Sequence, residues 1–349
     1  MILFNFYANE ELIKDIFKST LYSMSNVEYK NFNKDATDRE FYSRSLVNVR
    51  HQNVYIVCNF HHPKYSIGEL LFNLQLFIGS LVDSSANRIT VVAPYLPYQR
   101  QDRKDKGRAP INTKTLAKQL EAVGANRVLT IDVHNLAAFS NAFRIPVDNL
   151  SISISAIRYL CGQDSYGGKI IDDSILSYSP NDFVVLSPDI GGMPRANIFR
   201  EILAYRLGIP EVPIAVFDKR RDPETGKIIG KNIIGDVDGK RVIALDDMLD
   251  SGSTMGLAAK TAIDFGAEIH SVIVTHGLFN GNFEENLSSI DRIVVSNSID
   301  FDYKIKNTSD GFKNKLNIIS IGPMMGQAIL ALDSNDGSLS KLLDKNSLL

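Results

Sequence analysis

The chain has no tryptophan, and only two of its 349 residues are cysteine. Cys58 and Cys161 lie in different segments and form no metal-spaced motif, so buried or incidental thiols are favoured over a disulfide. A reducing cytoplasm fits that reading. Neither sign of charge dominates: the formal net charge is −2. With no global basic field, nucleic acid is not an expected partner. No apolar run reaches membrane-spanning length, so no membrane partner is expected. Met1–Phe6 has no basic leader and reads as a strand. Short internal repeats and low-complexity tracts are also missing.

What is present is length for two domains and 44% hydrophobic residues, enough for two cores. Strand and helix patterns alternate through the first half, as in an α/β domain. Strands are expected at 2–6, 54–57, 88–93 and 128–131. Helices are expected after Asn9, over 67–82, and after Asn112, which is expected to cap its helix. Residues 32–45 read as a loop or hairpin. A second α/β set has strands at 183–186, 214–217, 242–245, 271–275, 292–295 and 316–319, with a polar loop over 307–315 and a terminal helix at 327–332. The domains expected are 1–160 and 183–349, joined by a Gly/Ser/Asp-rich connection at 161–182.

The central stretch is Val242-Ile243-Ala244-Leu245, then Asp246-Asp247, then Asp250-Ser251-Gly252-Ser253-Thr254, then a helix over 255–265. A buried strand, a small-residue loop and a helix start form the usual ligand edge of α/β sheets. Backbone N–H groups and hydroxyls there suit a phosphate. Carboxylates would repel that phosphate, so Asp246 and Asp247 make more sense on sugar hydroxyls or a magnesium ion. A ribose 5-phosphate supplies both halves. In isolation the stretch also fits a plain strand, an acidic turn and a Thr-capped helix.

Other pieces follow strands too. Residues 99–108 hold five cations in ten residues, which in isolation fits a polyphosphate clamp and a solvated charged face equally well. His134 follows Asp132 at a strand end. Ser187-Pro188-Asp189-Ile190-Gly191-Gly192 precedes a helix with Arg195 near its start; Asp189 is placed either to hold Mg²⁺ through oxygen or water or simply to cap the helix after a Gly-rich turn. Asp218-Lys219-Arg220-Arg221 through Lys227 reads as a cationic loop; taken alone an exposed charged hairpin is favoured, and a loop suited to a phosphoryl transition state is the alternative.

Together, and in order, Pro94-Tyr95, Arg100-Gln101-Asp102-Arg103-Lys104, Ala109-Pro110-Ile111-Asn112, Asp132-Val133-His134, the 187–192 turn, Asp218–Arg221, Asn232–Val237 and the central loop resemble the ribose-phosphate diphosphokinase family. The resemblance implies two tandem type I phosphoribosyltransferase-like domains, each a mainly parallel sheet flanked by helices. It implies Mg²⁺-dependent transfer of the β,γ-diphosphate of ATP to the anomeric hydroxyl of ribose 5-phosphate, and a homo-oligomer, commonly a hexamer of dimers. Carried over by motif, Arg100, Gln101 and Arg103 contact ATP, and Asp38 and Glu40 recognise adenine. His134 and Asp189 hold Mg²⁺ or order the phosphates. Lys219 and Arg221, with His134, are the catalytic groups. Asp246 and Asp247 bind the ribose hydroxyls, and Asp250, Ser251, Gly252, Ser253 and Thr254 the 5-phosphate.

The chain departs from the family pattern at Ala36, Lys64-Tyr65-Ser66, 137–143, Ser253 and the 161–182 connection. These departures carry an alternative: the same transfer to a larger ribosyl acceptor such as ADP-ribose, in nicotinamide-dinucleotide metabolism. An inactive regulatory homologue is a further alternative. A plain phosphoribosyltransferase would not need the 99–108 clamp.

Overall fold

A computed structural model describes residues 1–31, 40–104, 106–164, 174–221 and 228–343, with residues 31, 219–221, 228–230 and 343 described by backbone alone. In chain order the elements are β1 (Ile2–Phe6), α1 (Glu10–Thr20), β2 (Met24–Ser25), β3 (Val27–Asn31), β4 (Phe41–Ser45), β5 (Asn53–Cys58), α2 (Ile67–Asp83), β6 (Arg88–Val92), α3 (Asn112–Ala122), β7 (Arg127–Ile131), α4 (Leu136–Ala142) and β8 (Val147–Leu150). There follow α5 (Ser153–Leu160), β9 (Phe183–Ser187), α6 (Met193–Leu207), β10 (Ile214–Arg221), β11 (Ile228–Ile234), β12 (Arg241–Leu249), α7 (Ser253–Asp264), β13 (Glu268–Gly277) and α8 (Phe283–Asn286). Last come β14 (Ile293–Ser296), α9 (Asp302–Ile305), α10 (Asp310–Lys315), β15 (Leu316–Ile319) and α11 (Gly322–Asp333).

The chain divides into two compact units. The first holds Met1–Ser151, Ser298–Asp300 and Gly322–Leu342; the second holds Ile152–Asn297 and Phe301–Ile321. The division therefore falls before α5 rather than after it, and α11 belongs to the first unit although it is last in sequence. Its place there has a packing reason. A Cβ on Gly322 would meet Asp15 of α1 at 2.3 Å, and one on Gly326 would meet Ser19 at 2.7 Å, so bare glycines let the two helices touch. Asp333 then accepts from Asn53 Nδ2 at 2.9 Å, tying the helix end to β5.

The first unit is a parallel sheet in the order β2-β1-β5-β6-β7-β8. Runs such as Val54–Cys58 and Ile89–Val92 are buried on both faces, which explains their lack of polar alternation. From α2, Leu70, Leu74, Phe77, Ile78 and Leu81 are buried against Phe4, Val54, Ile56 and Val91. Full burial of a side chain of this size stabilises by roughly 1.5–3 kcal/mol. The β3–β4 pair is antiparallel, as a hairpin requires.

The second unit is a sheet in the order β11-β10-β9-β12-β13-β14-β15, parallel except for β10–β11. Ala258, Ala259 and Ala262 seat α7 closely on Val242, Ala244 and Val272. Both units are α/β with mainly parallel sheets flanked by helices, as expected.

Several expectations are corrected. Asn112 is the first residue of α3, not its cap; Ile111 holds the cap position without a side-chain bond. Asn112 instead donates to the Gln101 carboxamide. Residues 310–315, expected in a loop, form α10, because the Ser309 hydroxyl caps Phe312 N at 3.1 Å. The backbone of 218–221 is strand rather than loop, because β11 pairs with it antiparallel, Lys219 opposite Lys231. No side chain caps α7; Gly252 takes the cap position with φ 72°.

Candidate active site

In a parallel α/β sheet the ligand edge is the set of loops at the carboxyl ends of the strands. In the first unit these are the loops after β6 and β7, which are neighbouring strands. The β6 loop is anchored from below: Leu96 and Gln99 are buried, while Arg100, Gln101 and Arg103 are exposed. A turn is closed by Gln101 N donating to Tyr98 O at 2.9 Å. Thr113, at the start of α3, donates its hydroxyl to the same Tyr98 oxygen at 2.8 Å. The cations thus ride on a fixed turn.

The β7 loop is strained and pinned. Asp132 is buried with φ 41°, a left-handed conformation costly for a residue with a Cβ. Val133 N donates to Asn149 Oδ1 at 3.0 Å, and His134 N donates to Gln99 Oε1 at 2.8 Å. His134 itself is exposed, one residue before Asn135 caps α4. One buried glutamine therefore links the His134 backbone to the loop that carries Arg100, Gln101 and Arg103. Glu40 lies exposed just before β4; Asp38 and Ala36 lie outside the described residues.

In the second unit the loops follow β9 and β12, again neighbouring strands. After β9, Asp189 Oδ1 accepts from Gly192 N at 2.9 Å, and Ser187 Oγ donates to Asp189 O at 2.7 Å. A Cβ on Gly192 would sit 2.6 Å from that Ser187 oxygen, so glycine is needed for the turn. The β12 strand does not end at Leu245. It stays paired with β13 through Leu249, Asp246 opposite Val274, so the two carboxylates lie inside the strand.

Asp246 Oδ1 bends back to accept from Asp247 N at 2.9 Å. Arg195, from the first turns of α6, places Nη1 3.3 Å from Asp247 Oδ1 and 3.8 Å from Asp246 Oδ1. Burial pushes the Asp246 carboxyl well above the ordinary range. The charge of Asp247 and its hydrogen bond add to this, Arg195 opposes it, and Asp189 adds a smaller upward push. Asp246 and Asp247 thus share one guanidinium, and Asp189 is close enough to act electrostatically on Asp246.

The loop itself runs Asp250, Ser251, Gly252 into α7. Gly252 has φ 72°, and a Cβ there would lie 2.9 Å from Leu287 Cγ. Ser251 Oγ donates to Ser253 Oγ at 3.1 Å. The first-turn N–H groups of α7 have no partners within the helix, so the end of the helix is suited to an anion. Asn286 Nδ2 holds Ser251 O at 2.8 Å from behind. Lys219 and Arg221 lie on the β10 backbone, and their side chains lie outside what is described.

Comparison with known proteins decides the family. Residues 1–124 match the N-terminal domain of ribose phosphate pyrophosphokinase, and 218–344 match the phosphoribosyl synthetase-associated domain. The ribose-phosphate pyrophosphokinase of Hyphomonas neptunium is 37% identical over 316 residues, covering 89% of this chain and 91% of that one. The chain belongs to the ribose-phosphate pyrophosphokinase family. The pyrophosphokinase of Listeria ivanovii is 32% identical, with 98% of this chain and 96% of that one covered. The crystal structure of phosphoribosylpyrophosphate synthetase from Mycobacterium smegmatis aligns with TM-score 0.78 at 26% identity, over 96% of this chain and 99% of that one. This pyrophosphokinase family member therefore aligns over nearly the whole length of these relatives.

Arg195 was visible in sequence only as a cation early in a helix; its carboxylate partners lie 51 and 52 residues away. Gln99 gave no signal of its own; it accepts from the His134 backbone N–H, and only the fold brings it there.

Proposed function

We propose that this chain is a ribose-phosphate diphosphokinase. It transfers the β,γ-diphosphate of ATP to the anomeric hydroxyl of ribose 5-phosphate, giving phosphoribosyl diphosphate and AMP. The observation that carries the reading is the run from Asp246 to Thr254: paired carboxylates for a diol, then a glycine-turned loop and helix start for a phosphate. The names of the full-length relatives point the same way and favour the ribose phosphate over ADP-ribose.

The anomeric oxygen bonds Pβ as the bridging oxygen leaves with AMP, and the hydroxyl proton is released. Such transfer asks for in-line positioning and charge neutralisation rather than a protein nucleophile. We assign ATP contacts to Arg100, Gln101 and Arg103, with Asp38 and Glu40 on the adenine. Lys219 and Arg221 supply positive charge to the transferring group. Asp246 and Asp247 take the ribose hydroxyls, and Asp250, Ser251, Gly252, Ser253 and Thr254 the 5-phosphate.

The donor set suits Mg²⁺ of a particular kind. Among the described residues no group of three or more His, Cys, Asp or Glu forms a metal cage. Asp246 and Asp247 already share Arg195, whereas Asp189 carries a carboxylate just after β9 that acts electrostatically on Asp246. That fits a hard cation carried mostly by phosphate oxygens and water, with one or two protein ligands. By the family motif we assign His134 and Asp189 to hold Mg²⁺ or to order the phosphates, where Mg²⁺ would supply charge neutralisation.

We further propose a cytoplasmic homo-oligomer built of dimers. Among the described residues no helix is long and apolar enough to cross a membrane. The deciding experiment measures AMP formation from ATP and Mg²⁺ with ribose 5-phosphate and ADP-ribose in parallel, products identified by mass. Preference for ribose 5-phosphate is expected. Preference for ADP-ribose overturns the acceptor, and no turnover of either would make the chain a regulatory homologue.

A further inference from the structure

Asp250 opens the loop proposed for the 5-phosphate, and a carboxylate beside a phosphate repels it. The chain beyond β13 deals with that carboxylate. Leu278 N donates to Leu249 O at 2.8 Å and Asn280 N to Asp250 O at 3.0 Å, so a second segment runs beside the loop after both strands have ended. Phe279 and Gly281 have φ of 45° and 62°, which turns this segment sharply.

Two side chains complete the arrangement. Asn280 Nδ2 donates to Asp250 Oδ1 at 2.7 Å. Lys304, on α9, donates Nζ to Asn280 Oδ1 at 2.7 Å and to Leu278 O at 2.6 Å. The lysine is half-buried, with the Tyr303 ring centroid 5.8 Å from its nitrogen. Burial lowers its pKa, while Asp250 works to hold the proton on.

We infer that Lys304 and Asn280 are positioning residues for the sugar-phosphate loop. The ammonium, relayed through the Asn280 carboxamide, turns the Asp250 carboxylate aside and offsets its charge, so that the loop accepts a terminal phosphate monoester of a small sugar. The asparagine orients the carboxylate; the lysine orients the asparagine and supplies the charge. This rests on the function proposed above.

The test uses the purified full chain with Lys304→Met, Lys304→Arg and Asn280→Ala, varying ribose 5-phosphate and ATP independently. Losing one charge-assisted bond gives about a ten-fold rise in the ribose 5-phosphate KM. That rise is expected in K304M and N280A, with the ATP KM unchanged and K304R close to wild type. An unchanged ribose 5-phosphate KM in either folded variant, or an equal rise in both KM values, overturns the inference. Asn280→Ala leaves the lysine in place and answers the question should K304M fail to fold.

Failure of the functional reading looks different: wild type would make no AMP from ribose 5-phosphate. Titration calorimetry with inorganic phosphate then serves, since it needs no turnover. Weaker phosphate binding by K304M than by wild type supports the inference; equal binding, or none by wild type, overturns it.

Discussion

Asp246 and Asp247 share one counter-ion: Arg195 Nη1 is 3.3 Å from an oxygen of Asp247 and 3.8 Å from one of Asp246. All three side chains are largely buried, at 14% exposure for the arginine and 21% and 4% for Asp246 and Asp247. Removing one member of a buried ion pair strands the others and costs about 3–5 kcal/mol. Arg195→Met is therefore expected to lower stability by an amount at the low end of that range, because Asp246 can keep its proton. If Asp246 and Asp247 take the ribose hydroxyls as proposed, its kcat/KM for ribose 5-phosphate should fall about a hundred-fold as the two carboxylates lose their alignment. Urea melts and steady-state kinetics check both; an unchanged kcat/KM would remove Arg195 from the site.

The raised Asp246 pKa sets a pH dependence. Between the ordinary carboxyl value, about 3.9, and its own higher value, Asp246 is protonated when folded and ionised when unfolded. The folded state then binds more protons, so this group's contribution to stability falls as pH rises through that window. Asp246→Asn should therefore be more stable than wild type at pH 7, with a higher Tm. The advantage should vanish near pH 4, and ribose 5-phosphate turnover should be lost. Thermal melts across pH are the measurement; a variant less stable than wild type at pH 7 would contradict the assignment.

Gly252 is needed for two separate reasons, its φ of 72° and the side chain of Leu287. Left-handed φ alone costs an alanine about 1 kcal/mol or more. A Cβ 2.9 Å from Leu287 Cγ adds overpacking, typically about 1–3 kcal/mol. Gly252→Ala should thus destabilise by roughly 2–4 kcal/mol and raise the ribose 5-phosphate KM at least ten-fold. A second change, Leu287→Ala, relieves the contact but not the φ. The double variant should recover part of the acceptor affinity, and no recovery would show that backbone strain dominates.

The alternation of strands and helices and the ligand loops were legible in the sequence because each is written locally. Apolar runs such as Val54–Cys58 give buried strands, and Asn9 caps its helix at 2.7 Å as its position foretold. What was not legible depends on partners distant in sequence. β12 continues through Asp246–Leu249 only because β13 lies alongside to pair with it. Asn112 has the look of a cap, but Gln101 lies within reach and takes its side chain. The return of α11 to the first unit rests on glycines whose use appears only when α1 is beside them.

Gln99 gives the sharpest separation between stability and function. Its Oε1 accepts from His134 N at 2.8 Å, while its buried Nε2 finds no partner among the described residues. A buried donor without a partner costs about 1–3 kcal/mol, and deleting the amide recovers that cost. Gln99→Leu keeps the volume and removes both groups. It frees an exposed loop to take water at His134 N, so the net change in stability should lie within about 1 kcal/mol of zero. The His134 backbone, however, loses its tie to the loop bearing Arg100, Gln101 and Arg103. Turnover at saturating substrates should fall about ten-fold through lost positioning. Gln99→Glu separates the two atoms: it keeps the acceptor for His134 N and should retain more turnover than the leucine variant, at a greater cost in stability from the buried charge. If Q99L keeps full kcat, the glutamine is packing alone, and His134 is positioned by Asn149 and the strained Asp132 backbone.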